Sequence, residues 1–121
     1  MFIYHNENPN HELVGDCVVR AIAFALDIDY DYVLQELFKV SNYFNCDMIV
    51  KDCYNILLSE KYELPMFYGN GNSVEKIAKD FRDKILIMRI DGHLTCSKYG
   101  NIFDVWDTSK EIVDVFWIVE D

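Results

Sequence analysis

The chain has 121 residues, 51% hydrophobic and 15% aromatic, so it is long and apolar enough to fold around a core and does not read as a disordered segment. It carries 21 acidic residues against 11 basic ones, a net charge of −10, and its lysines and arginines are scattered singly. Such a surface repels phosphate groups, which argues against a nucleic-acid partner. We expect a single domain over residues 1–121.

Simple sequence patterns argue against a membrane or secreted protein and against a metal-binding protein. The longest apolar run, Ala21–Leu26, is far shorter than a bilayer span, and the first ten residues do not resemble a signal peptide, so no membrane partner and a cytoplasmic location are expected. The four cysteines form no Cys-x-x-Cys pair, and the histidines fall at none of the usual ligand spacings. We therefore expect free thiols and no metal or other cofactor.

The first elements in chain order are a short strand and a helix. Residues Phe2–His5 favour an edge strand, and the polar stretch 6–14 favours a loop. Asp16 is predicted to cap, through its side chain, a helix over Cys17–Leu26. Only Arg20 is charged in that segment, so the helix is expected to be central and buried.

The remaining helices precede a β-rich third of the chain. Apolar residues recur at helical spacing in a second and a third helix, and a short strand is followed by a fourth helix capped by Ser73. Four β-rich runs separated by turn signals then predict an antiparallel sheet, so the fold class is α+β. The predicted helices begin near Asp29 or Asp31, span about Asp47 to Lys61, and span Val74–Phe81; the β-rich runs are Lys84–Ile90, His93–Ser97, Asn101–Trp106 and Val113–Val119.

The position of Cys17 suggests chemistry. A thiolate at a helix N-terminus is stabilised by unpaired N–H groups and the helix dipole, which lowers the thiol pKa. The neighbouring carboxylate of Asp16 works partly against this, so a nearby histidine would decide the balance. His93, which follows Asp-Gly and opens a strand, is the candidate general base.

The third member of such a site is ambiguous between two carboxylates. A three-residue loop after the strand of His93 would bring Asp107 to the face of the histidine, whereas a two-residue loop reverses the parity and favours Asp104. Either carboxylate would orient the imidazole and stabilise its charged form.

The ordered segments "GDCVVRAIAFAL", "DGHL" and "FDVWDTS" resemble small papain-like proteins of bacteriophages, related to the C39-type peptidases. The resemblance covers roughly residues 15–117. It implies a papain-like fold, with a central N-terminal helix and further helices packed on the C-terminal sheet. It also implies that Cys17 is the nucleophile, His93 the base and Asp107, or Asp104, the orienting group, in a peptidase or amidase that acts on a peptide or amide-containing substrate.

One component of the papain-like pattern is missing, and this keeps a second function open. Such enzymes usually have a glutamine shortly before the cysteine to help form the oxyanion hole. Here the corresponding loop offers the Asn10 amide or the His11 ring. With a charge of −10 and a small size, the alternative is a non-catalytic acidic protein on the same fold that blocks a host protein, such as a defence factor, in the host cytoplasm if the chain is phage-encoded.

Overall fold

A computed structural model describes residues 1–48 and 50–119 and contains helices on a sheet. Helix α3 continues directly into a π-helical segment, Ile56–Lys61. The helices are α1 (Cys17–Leu26), α2 (Tyr30–Phe44), α3 (Lys51–Asn55) and α4 (Val74–Asp80), and the strands are β1 (Phe2–Tyr4), β2 (Met66–Tyr68), β3 (Ile85–Ile90), β4 (His93–Lys98), β5 (Asn101–Asp104) and β6 (Val115–Val119). The α+β class is confirmed.

The six strands form one mixed sheet in the order β1-β5-β4-β3-β6-β2. The pairs among β3, β4, β5 and β6 are antiparallel as predicted, and β2 joins β6 antiparallel. The predicted N-terminal edge strand is also present, and it pairs parallel to β5, so the sheet as a whole is mixed. A parallel pair between the two ends of the chain leaves no local turn signal, which is why the sequence did not reveal it.

Helices cover both faces of the sheet. On one face, α1, α2 and α3 pack against a core that includes Ile87 and Trp117. On the other face, α4 packs against Leu86, Met88 and Phe116. Because side chains alternate along a strand, β3 is apolar at nearly every position and supplies both cores.

Helix α1 lies centrally, as its composition predicts. Its residues Val18 to Ala23 are buried, and the helix contacts both β4 and β3. It ends at Asp27, whose left-handed backbone directs its N–H to the carbonyls of Ala23 and Phe24. Asp16 occupies the N-cap position, but its side chain makes no capping hydrogen bond, which corrects the predicted cap.

Two of the other helices differ at their ends from the prediction. Helix α3 begins at Lys51 rather than near Asp47, because α2 ends at the left-handed Asn45 and Val50 is still extended. Ile49, which lies in the predicted third helix, is outside the described residues. The Ser73 cap of α4 is confirmed, since its hydroxyl accepts from the Lys76 N–H at 3.2 Å. None of the helices described is long and apolar enough to cross a membrane.

Candidate active site

Cys17 is the first residue of α1 and is only partly buried. The first backbone bond of the helix runs from the Arg20 N–H to the Asp16 carbonyl at 3.0 Å. The N–H groups of Cys17, Val18 and Val19 therefore have no acceptor within the helix. They surround the thiol with partial positive charge at the point where a thiolate would form.

His93 opens β4 at the end of the β3–β4 hairpin, where it pairs with Ile90 as the last step of that ladder. The turn residue Gly92 has a φ of 64°, a conformation that favours glycine. The His93 imidazole and the Leu94 backbone line the same groove as the Cys17 thiol, and both act on the thiol closely enough to lower its pKa. The thiol therefore meets one side-chain and one backbone group of the same strand.

The carboxylate of Asp104 completes the contact chain. Its Oδ2 lies 2.6 Å from His93 Nε2, which leaves Nδ1 as the ring nitrogen for Cys17. The Val105 N–H donates to Asp104 Oδ1 at 2.7 Å, which fixes the carboxylate within its own loop. Asp104 is itself 4% exposed, so the pair is shielded from water.

The β4–β5 turn decides between the two predicted carboxylates. Its two residues, Tyr99 and Gly100, both have positive φ, of 52° and 87°, and Lys98 pairs with Asn101. With this two-residue turn, Asp104 falls on the same side of the hairpin as His93.

Asp107, the other predicted orienting group, is placed elsewhere. It is exposed, and its carboxylate accepts hydrogen bonds from the backbone N–H and the hydroxyl of Ser109. The three-residue turn that would have favoured it is not formed. The prediction of Asp107 as a partner of His93 is therefore corrected in favour of Asp104.

A buried arginine ties the start of α1 to this cluster. Arg20 Nε donates to Asp16 Oδ1 at 2.6 Å, and Arg20 Nη1 donates to Asp104 Oδ1 at 3.3 Å. Asp16 also accepts from Asn8 at 2.9 Å and from the Tyr30 hydroxyl at 2.7 Å. The Asp16 charge is thus neutralised by Arg20, and its opposition to a thiolate is weaker than the sequence suggested.

The pKa values of the thiol and the imidazole move in opposite directions. Burial by itself would raise the pKa of Cys17, but hydrogen bonds from His93 and Leu94 together with the charge of His93 lower it below its usual range. Burial would lower the pKa of His93, but the hydrogen bonds to Asp104 and Cys17 raise it to about 9. Both shifts favour a thiolate paired with an imidazolium at neutral pH.

Cys17 and His93 line the same open groove of about 850 Å³. The groove runs from the start of α1 past α3 to the residues that follow β2. Its walls include the half-exposed apolar side chains of Val50 and Ile112, and a polar cluster of Tyr54 and Arg89 lies within it. A volume of this size accommodates several residues of an extended chain or a drug-sized molecule.

The predicted oxyanion donors do not reach this groove. Asn10 and His11 are exposed and are not among its lining residues. Their loop folds on itself instead, since the N–H groups of Asn10 and His11 donate to the side chain and the carbonyl of Asn8, each at 2.9 Å. A hydrogen-bonded loop of this kind holds both residues away from the thiol.

Two contributors to the site were not predicted. The Leu94 N–H is a backbone group and has no sequence signature. Trp106 ends the predicted β-rich run Asn101–Trp106, but strand β5 stops at Asp104. The Trp106 ring is 42% exposed and packs at a tilt against His93, with centroids 5.2 Å apart.

Within residues 1–48 and 50–119, no three His, Cys, Asp or Glu side chains are arranged to hold a metal ion. The four cysteines are free thiols. No protein-family model, no curated protein and no solved structure matches the chain.

Proposed function

We propose that the chain is a papain-like cysteine hydrolase, a peptidase or amidase that works through an acyl-enzyme. The observation that carries the proposal is the continuous contact from the Cys17 thiol through the His93 imidazole to the buried Asp104 carboxylate, beside an open groove. Structural histidines and cysteines also make hydrogen bonds. A thiol with a lowered pKa at a helix N-terminus, in contact with an oriented imidazole, is the arrangement that nucleophilic catalysis requires.

In the acylation step, the Cys17 sulfur forms a bond with the carbonyl carbon of the substrate, and the carbonyl π electrons move to the oxygen. When this tetrahedral intermediate collapses, the carbon–nitrogen bond breaks and His93 gives its proton to the departing amine. Asp104 keeps the ring aligned and stabilises its charged form. The products of this step are a thioester on Cys17 and a free amine.

In the second step, His93 takes a proton from water, and the resulting hydroxide attacks the thioester carbon. The carbon–sulfur bond then breaks, which releases a carboxylic acid and restores the thiolate. The exposed side of the groove admits the water. The substrate class that fits the groove is an extended peptide or an amide of comparable size.

The proposal is tested with p-nitrophenyl acetate, a small activated ester. Wild-type protein should release p-nitrophenolate and carry an acetyl group on the tryptic peptide that contains Cys17. Cys46 is the internal control, because it is also partly exposed but contacts no histidine in the described structure. Cys17 should be acetylated at least about tenfold faster than Cys46 at pH 7.

A Cys17→Ala variant should lose the fast acetylation and keep its circular dichroism spectrum. Equal acetylation rates for Cys17 and Cys46 would contradict an activated nucleophile. A library of peptides screened for cleavage with wild type and Cys17→Ala in parallel would then identify the bond that is hydrolysed.

A second candidate function is an acidic binding protein that blocks a host protein without chemistry. It is favoured by the net charge of −10 and by the distance of Asn10 and His11 from the groove, which removes the donors expected before the nucleophile. If Cys17→Ala, correctly folded, retained the full biological effect of the chain, the binding role would account for it. Complete loss of the effect would favour catalysis.

A further inference from the structure

An oxyanion hole needs a second donor besides the backbone N–H of the nucleophile, and the loop before Cys17 does not supply one. The donor therefore has to be sought among the side chains that line the groove. Those with a side-chain N–H or O–H that are exposed at the rim are Lys51, Tyr68 and Asn70. Water competes with such groups, so they contribute little to a developing charge.

Tyr54 differs from these rim residues in its burial and its fixation. It lies on α3, is 6% exposed and lines the groove together with Cys17. Its ring packs edge-to-face on the buried indole of Trp117, with centroids 6.2 Å apart at an interplanar angle of 75°. The ring is therefore held by the core at the wall of the groove.

Arg89 prepares the Tyr54 hydroxyl as a donor. Its guanidinium is bound to Asp114 Oδ2 at 2.6 and 2.9 Å and to Asn55 Oδ1, next to Tyr54 in the chain, at 3.3 Å, and it lines the groove beside Tyr54. Because a guanidinium can only donate, its approach to the Tyr54 oxygen leaves the tyrosine proton available. Donation from a cation also polarises the O–H bond and strengthens the donor.

The protonation state of Tyr54 fits a donor role. Burial raises the pKa of Tyr54, Arg89 opposes this rise, and the nearby Cys17 adds to it, with a net rise above the ordinary value. The hydroxyl therefore keeps its proton at neutral pH.

We propose that Tyr54 is a catalytic residue whose hydroxyl donates a hydrogen bond to the substrate oxyanion, together with the Cys17 N–H, and that Arg89 is its positioning residue. The inference rests on the proposed acyl-enzyme chemistry. When the sulfur adds to the carbonyl carbon, the negative charge appears on oxygen, and the Tyr54 proton stabilises it without being transferred. When the intermediate collapses, the electron pair on the oxygen re-forms the carbonyl double bond, and the pair of the breaking bond departs with the leaving group.

Two reagents separate the oxyanion from the thiol. Iodoacetamide alkylates the Cys17 sulfur by displacement of iodide and forms no oxyanion, whereas p-nitrophenyl acetate acylates it through one. We expect Tyr54→Phe to lower the acylation rate by about 10- to 100-fold and to leave the alkylation rate within about twofold of wild type. The Tyr43→Phe variant is the control, because Tyr43 is an exposed tyrosine of α2 that does not line the groove, and both rates should remain unchanged.

The outcomes distinguish this inference from the proposed function. If wild type shows no fast acetylation of Cys17, the proposed function fails and the inference fails with it. If wild type is acetylated and Tyr54→Phe reacts at the same rate, only the role of Tyr54 is overturned. An equal loss of alkylation and acylation in a folded Tyr54→Phe variant would also overturn it, since Tyr54 would then act on the thiol.

A second variant covers the case in which Tyr54→Phe does not fold. Arg89→Gln keeps the tyrosine and removes the cation that polarises it, so acylation should fall by about fivefold while alkylation is retained. Unchanged acylation in folded Arg89→Gln, with Tyr54→Phe unfolded, would overturn the proposed oxyanion site.

Discussion

The thiols of Cys17 on α1 and Cys96 on β4 lie on facing elements, but their pKa values are shifted in opposite directions. Both contribute to the interface between the helix and the strand. The pKa of Cys17 is lowered, whereas burial raises the pKa of Cys96 to about 12. Cys96 is almost fully buried in the apolar core, and its thiol donates to the Ser97 carbonyl, a group that cannot stabilise a thiolate. Burial alone raises the pKa of a thiol and keeps it protonated, whereas hydrogen-bond donors directed at the sulfur lower that pKa.

The largest effect is expected when the main donor to Cys17 is removed. In His93→Ala, the thiol loses the imidazole and keeps only the Leu94 N–H and the helix terminus, so its pKa should move toward that of an ordinary cysteine. The acylation rate with p-nitrophenyl acetate should fall by about 10³-fold at pH 7. His5→Ala is the control, because His5 pairs with Glu7 and makes no contact with the thiol. An unchanged rate in His93→Ala would contradict the role of the imidazole.

The next effect concerns the carboxylate behind the imidazole. Asp104→Asn removes the charge that aligns and stabilises His93, so acylation should fall by about 10²-fold or more. Asp107→Asn tests the other predicted carboxylate. It should leave the rate within about twofold of wild type, because Asp107 contacts Ser109 instead. A greater loss in Asp107→Asn than in Asp104→Asn would contradict the arrangement described for the β4–β5 hairpin.

These two carboxylates also show how far sequence reasoning reached. The helix start at Cys17 and the strand start at His93 were predictable, because capping positions and Asp-Gly turns have local signatures. The choice between Asp104 and Asp107 depended on one residue of turn length, which the sequence left open between a two-residue and a three-residue loop. A shift of one residue moves every later side chain to the other face of the strand.

Contacts between distant segments were less accessible to sequence reasoning. The parallel pairing of β1 with β5 and the approach of Tyr54 to the groove join parts of the chain that share no pattern. Arg20 is the one charged residue of the predicted first helix, and the sequence did not identify Asp16 and Asp104 as its partners. Asn10 and His11 were predicted as oxyanion-hole donors because their loop precedes the cysteine. Their position in the sequence did not reveal that hydrogen bonds to Asn8 fix the conformation of this loop.

A pH titration tests the activation of Cys17 directly, and the expected effect is intermediate in size. The thiolate absorbance of Cys17 should appear below the ordinary cysteine pKa, and the C–H signal of His93 in proton NMR should titrate with a midpoint of about 9. The thiolate–imidazolium pair of Cys17 and His93 therefore exists at pH values between the pKa of Cys17 and that of His93. Amide hydrolysis needs a protonated His93, so its rate should fall by about tenfold for each pH unit above about 9. In Cys17→Ala, the midpoint of His93 should drop because the thiolate no longer stabilises the imidazolium.

The smallest effect on the reactivity of Cys17 is expected when the buried thiol of Cys96 is removed. Cys96→Ala removes a sulfur from the core between α1 and β4, so the free energy of unfolding in urea should decrease by about 1–2 kcal/mol. The alkylation rate of Cys17 should remain within about twofold of wild type, because none of the donors to its sulfur comes from Cys96. A tenfold loss of Cys17 reactivity in a folded Cys96→Ala variant would show instead that packing behind β4 positions His93. The donors around Cys17 would then be insufficient to explain its activation without the core on which they rest.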